Sequence, residues 1–131
     1  MPATGNVLLD TSVVIPYLKG DAAIRRQIEA VPVLYLPITV VGELYCGAYA
    51  SQHQARVLQE IRNFLTGVVM LGQSETTAEC YGQIRADLAK AGTPIPENDI
   101  WIAALAREQG MLLVTRDAHF QRISGLNIVN W

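Results

Sequence analysis

Two apolar triplets, Val7-Leu8-Leu9 and Leu112-Leu113-Val114, run without an intervening polar residue. A strand with one face in water alternates polar and apolar side chains. An unbroken triplet therefore reads as a strand buried on both faces, as in a parallel sheet covered by helices on each side. Weaker apolar runs recur at 33–36, 68–71 and 128–129. Stretches of helical composition lie between them. The segment 39–50 follows Pro37 and opens on Thr39 as its expected N-cap; 53–65 is helix-forming; 74–91 opens on Ser74 with Glu75 in its first turn. Residues 98–109 follow "GTPIPEN" and stop at Gly110, an expected C-cap. Pro16 confines 12–18 to a short or kinked turn. Strands separated by helices of this length need right-handed crossovers. The expected fold is α/β, a three-layer α/β/α sandwich on a mainly parallel sheet. A chain of 131 residues, 50% hydrophobic, suits one domain spanning 1–131.

The first triplet ends on a carboxylate, Asp10. An ionised acid beside apolar runs costs free energy unless a hydrogen bond, a cation or a metal compensates its lost hydration. The carboxyl ends of parallel strands form the crevice where ligands bind. Asp117, in "LLVTRDAHF", occupies the same junction after the second triplet. Glu43 lies about one turn into the 39–50 helix among Val40, Val41, Leu44 and Tyr45, and is expected to point inward. Asp99 stands near the start of a helix that is apolar nearly all round through Ala106. Each acid has a plainer alternative. Asp10 and Asp117 are placed to cap the turns that follow them, and Glu43 and Asp99 to answer a helix dipole, with Glu97 and Asn98 competing for the same job. Their joint recurrence at strand ends and inward-facing helix starts points to a shared centre.

Two like charges about 4 Å apart repel by ~4 kcal/mol at an effective dielectric near ~20, so four bare carboxylates would protonate or destabilise the fold. A hard divalent cation removes that penalty. Carboxylate donors suit Mg²⁺ or Mn²⁺, and the lack of a His/Cys cluster in the sequence argues against zinc. A net charge of -2 leaves no basic footprint for gripping a nucleic acid by phosphate neutralisation alone. If the chain handles RNA or DNA, the contact is expected to be local and helped by the cation.

The segments "LLDTSVVIPYL", "ITVVGELYCGA", "ENDIWIAALARE" and "LLVTRDAHFQRISGLNIVNW" together resemble the PIN domain family, and within it the VapC-type toxins of bacterial toxin–antitoxin pairs. The resemblance covers essentially the whole chain. It implies a PIN-like sandwich in which Asp10, Glu43, Asp99 and Asp117 are the catalytic, metal-binding acids. The implied activity is a metal-dependent endoribonuclease: water activated by one or two Mg²⁺ or Mn²⁺ ions cleaves single-stranded or structured RNA, leaving 5′-phosphate and 3′-hydroxyl ends. It also implies a cognate antitoxin and a homodimer, for which the apolar helical surface of 39–65 is available. Some members place the last acid immediately before the phenylalanine, where this chain has His119; others carry the T-R-D-x-H-F arrangement found here.

Thr11, Ser12 and Thr115 are candidates to orient the carboxylates, with local capping as the alternative. Arg116 is a candidate for a substrate phosphate, with a solvated surface arginine as the plainer reading. His119 reads as a helix-surface histidine or a general acid, and His53 as a surface residue. Tyr45, Tyr49, Tyr81 and Trp101 are expected to pack, and Cys46 and Cys80 to be reduced thiols in the core. With no leader-like N-terminus and no run near ~20 apolar residues, a cytoplasmic protein without a membrane segment is expected. A receiver-type phosphoacceptor domain resembles a design with a lysine late in the chain, and the last lysine here is Lys90. A non-catalytic PIN-like RNA or protein interaction module is expected to have lost one or more of the acids. A nuclease for duplex DNA is expected to carry basic insertions that this chain lacks.

Overall fold

The computed structural model describes residues 7–131. The stretch 1–6, on which part of the no-leader expectation rests, lies outside the described residues. Five strands form a single sheet in the order β3-β2-β1-β4-β5, and every pairing is parallel. They are β1 (Val7–Leu9), β2 (Leu34–Pro37), β3 (Val68–Leu71), β4 (Leu112–Val114) and β5 (Asn127–Val129). Six helices flank the sheet: α1 (Thr11–Leu18), α2 (Ala22–Glu29), α3 (Ile38–Tyr49), α4 (Gln54–Leu65), α5 (Glu75–Ala91) and α6 (Glu97–Gln109). This is the expected PIN-like sandwich.

The two triplets are neighbours, with Val7 opposite Leu112, Leu8 opposite Leu113 and Leu9 opposite Val114. Leu8, Leu9, Leu113 and Val114 have no exposed surface, as strands covered on both faces require. The edge strand β3 leaves Val69 and Met70 exposed, and its run is correspondingly the weaker sequence signal. The chain winds outward through β1, β2 and β3, then crosses back to β4. The order therefore reverses between β1 and β4, the position at which an open α/β sheet forms its crevice.

Helix boundaries follow local chemistry. Ser74 caps α5 in a reciprocal capping box with Thr77, and Gly92 and Gly110 close α5 and α6 with φ of 69° and 63°. Pro16 sits inside α1, which is only eight residues long. The expected cap at Thr39 is a correction: α3 starts at Ile38 after Pro37, with no side-chain cap, and the Thr39 hydroxyl accepts from Gln73 Nε2 at 3.1 Å. Helix α2 has no counterpart in the sequence reading; Asp21 caps it by accepting from Ile24 N, and Ile24 and Ile28 bury one narrow stripe.

The cysteine expectation is also corrected. Val40, Leu44 and Ala48 define the buried face of α3, so Cys46, about 200° round from Leu44, is exposed, while Cys80 is half-buried. Tyr49 is 58% exposed rather than packed. Tyr81 and Trp101 do pack, stacked with ring centroids 4.1 Å apart. His53 is exposed just ahead of α4. No described helix is long and apolar enough to cross a membrane.

Candidate metal centre

Asp10 follows β1 and extends its ladder, donating its amide to Val114 O at 3.0 Å. Its side chain is 4% exposed. Oδ2 accepts from Ser12 Oγ at 2.7 Å, from Thr115 Oγ1 at 2.8 Å and weakly from the Ser12 amide at 3.4 Å. Ser12 Oγ in turn accepts from the Arg116 amide at 2.9 Å, and Thr115 Oγ1 from the Asp117 amide at 3.0 Å. A hydroxyl lattice thus ties the loop after β1 to the loop after β4. Among the described residues no hydrogen bond reaches Asp10 Oδ1, so one oxygen is spent on orientation and the other is left without a hydrogen-bond partner.

Asp117 caps the short 3₁₀ turn Ala118–Arg122 by accepting from the His119 amide at 2.9 Å. That turn carries the imidazole of His119 back over the start of α6. Nδ1 of His119 lies 3.0 Å from Asp117 Oδ1 and 3.3 Å from Asp99 Oδ2. The atom is buried, yet it aligns a hydrogen bond with neither carboxylate.

Asp99 does not cap α6: the cap position is Pro96, without a side-chain hydrogen bond. Glu97, its competitor at the helix start, is drawn away to Arg85 and Tyr81. Asp99 is 8% exposed, and burial, then Asp117, then Asp10 push its carboxyl up to about 6, with His119 partly opposing. An acid held at that value in a crevice marks a site short of positive charge.

Glu43 is half-buried at its place in α3, and Thr11 Oγ1 donates to its Oε1 at 2.6 Å. The structure thus gathers the acids unevenly. Ligand atoms of Asp99, Asp117 and His119 all lie within 4.8 Å of one another; Asp10 adjoins Asp99 closely enough to raise it; Glu43 is joined through Thr11 and stands outside the tightest group. Two carboxylates and an imidazole nitrogen left without a partner form a donor set that fits a divalent cation. Arg116, the candidate for a phosphate, has its guanidinium occupied: Nε donates to Trp131 O at 2.7 Å and Nη1 lies 3.5 Å from Asp21. The sequence leaves His119 open between two readings. Its placement depends on how a turn folds over a distant helix, and only the short D-x-H spacing on a turn hints at it.

Fold and site together define a compact doubly wound α/β protein with an acidic centre at the switch point of its sheet. The chain belongs to the PIN domain family, whose model matches residues 7–126. It is 35% identical to Ribonuclease VapC2 of Haemophilus influenzae, with 95% of this chain and 96% of that protein covered. It is 33% identical to the tRNA(fMet)-specific endonuclease VapC of Shigella flexneri, with the same coverage. Among solved structures, VapBC2 from Rickettsia felis, bound to a DNA fragment from its promoter, superposes with a TM-score of 0.92 at 25% identity, over 95% of this chain and 98% of that one.

Proposed function

We propose that the chain is an endoribonuclease of the VapC type, the toxin of a toxin–antitoxin pair, that works with Mg²⁺ or Mn²⁺. The single observation that carries the reading is the meeting of Asp10, Asp99, Asp117 and His119 at the switch point of a PIN fold. Asp10, Asp99 and Asp117 would hold the cation, with Glu43 completing the acidic side. A divalent cation so held supplies Lewis-acid activation of water and neutralises charge developing on a phosphoryl group.

The chain's own residues do the positioning. Ser12 and Thr115 fix the plane of the Asp10 carboxylate, so its free oxygen is presented without a search among rotamers. Thr11 does the same for Glu43. Burial of Asp10 and Asp99 excludes water that would screen these charges. No side chain of the centre other than His119 is basic, so an RNA phosphate is drawn in by the cation and not by the protein surface.

The antitoxin has a surface to cover. A groove of about 580 Å³ runs between α1, α3 and α4, lined by Ile15, Leu18, Leu44, Ala48 and Ile61, and it reaches Glu43. Ile15 is 40% exposed there. An apolar segment of the cognate antitoxin laid in this groove would end beside the acids and close the centre to RNA.

The test is cleavage of labelled single-stranded RNA with Mg²⁺ or Mn²⁺ against EDTA, for the wild type and Asp10→Asn. Cleavage in either cation, abolished by the chelator and reduced ~100-fold or more by the substitution, is the expected result. Cleavage indifferent to both would remove the cation from the reaction, and RNA binding without cleavage in every condition would make the chain an interaction module.

A further inference from the structure

We infer that His119 Nδ1 is itself a donor to the cation, which makes the centre a mixed nitrogen–oxygen site that selects Mn²⁺ over Mg²⁺. The inference rests on the reading that a cation occupies this centre and adds a ligand outside the four acids.

Geometry carries it. Ligand atoms about 2.1 Å from one octahedral ion lie about 3.0 Å apart along each cis edge. Nδ1 stands 3.0 Å from Asp117 Oδ1 and 3.3 Å from Asp99 Oδ2, close to two such edges sharing one corner. An imidazole recruited to pair with a carboxylate would aim its N–H along one oxygen. Here the buried Nδ1 lies beside two oxygens and is aligned with neither, as expected of a lone pair directed at a point between them. The backbone supports the pose: the His119 amide donates to Asp117 Oδ1, so residue and carboxylate are locked in one turn. The side chain is 40% exposed on its outer part, which leaves the ring replaceable without emptying the core.

Chemistry then sets the preference. Mg²⁺ is hard, keeps its waters and takes oxygen donors, whereas a neutral imidazole suits transition ions. One nitrogen among carboxylates therefore favours Mn²⁺ without excluding Mg²⁺.

The test uses the full chain with Mn²⁺ alone, read by pulsed electron paramagnetic resonance for ¹⁴N coupling, beside calorimetric affinities for Mn²⁺ and Mg²⁺. Wild type should show a directly bound nitrogen that His119→Gln lacks. The same substitution should weaken Mn²⁺ binding ~10-fold or more and Mg²⁺ binding much less. His119→Asp should restore Mn²⁺ affinity without the nitrogen signal and shift the preference toward Mg²⁺. Mn²⁺ bound by wild type with no nitrogen coupling, or an unchanged Mn²⁺-to-Mg²⁺ ratio in His119→Gln, overturns the inference and leaves the acid-held cation standing. Failure of wild type to bind either ion overturns both.

Discussion

Replacing Asp99 by asparagine should stabilise the cation-free protein, and by an amount that depends on pH. The carboxyl is raised from 3.8 to about 6, first by burial and then by Asp117 and Asp10. The fold therefore prefers the protonated form. Stability associated with this group is complete below 3.8 and is lost as pH rises through about 6, because the unfolded chain ionises freely while the folded one must carry a third charge in the crevice. The interval corresponds to ~3 kcal/mol at most, and solvent reaching the half-exposed rim at His119 and Asp117 lowers it to ~2 kcal/mol. The amide of the replacement has no charge to bury. In EDTA the variant should gain ~2 kcal/mol at pH 8, shrinking below ~1 kcal/mol at pH 4.5.

For a chain of this length, that gain is a rise of about 6–10 °C in melting midpoint at pH 8. Differential scanning calorimetry across pH 4.5 to 8 reads it directly. Adding Mn²⁺ should raise the wild-type midpoint and narrow the gap, since the cation relieves the same repulsion. RNA cleavage should fall as stability rises, the usual exchange at a site that keeps unfavourable charges for use. A variant no more stable than wild type at pH 8, or a gain that is flat with pH, would refute the claim that Asp99 is held against its own ionisation.

Thr115→Val keeps the side-chain shape but removes the donor to Asp10 Oδ2 and the acceptor for the Asp117 amide, in a residue only 2% exposed. Urea unfolding should show a loss of ~2 kcal/mol and RNA cleavage a fall of ~10-fold or more, with Thr115→Ser restoring most of both. Arg116→Ala releases Trp131 O and Asp21, so amide exchange should quicken over β5 and the last residues while the KM for RNA stays unchanged. A raised KM with unaltered exchange would return Arg116 to phosphate binding.

The frame of the fold is legible because burial on both faces leaves no freedom in composition: the triplets at 7–9 and 112–114 are adjacent central strands. Half-covered elements are harder to read. The edge strand β3 has only a weak run, and α2 escapes notice because two isoleucines four residues apart, with Ala22 and Ala23 at its start, make too narrow a stripe to announce a helix. Composition alone misplaces Cys46. Its helix is mostly apolar, and only the phase relative to Leu44 and Ala48 shows that it faces water.

The site is legible as a set of acids but not as a geometry, and the capping alternatives explain why. Capping and gathering are not competing fates. Asp10 caps α1 and Asp117 caps its 3₁₀ turn, and those same hydrogen bonds hold each carboxylate rigidly at the carboxyl end of its strand. A cap consumes one face of a carboxylate and leaves the other to the crevice. Asp99 separates the two roles, since Pro96 occupies its helix's cap position and the acid is left buried, capping nothing and close to two like charges. His119 opposes that cost only in part, and the cation of the proposed function, held where Asp99, Asp117 and His119 meet, would offset the rest.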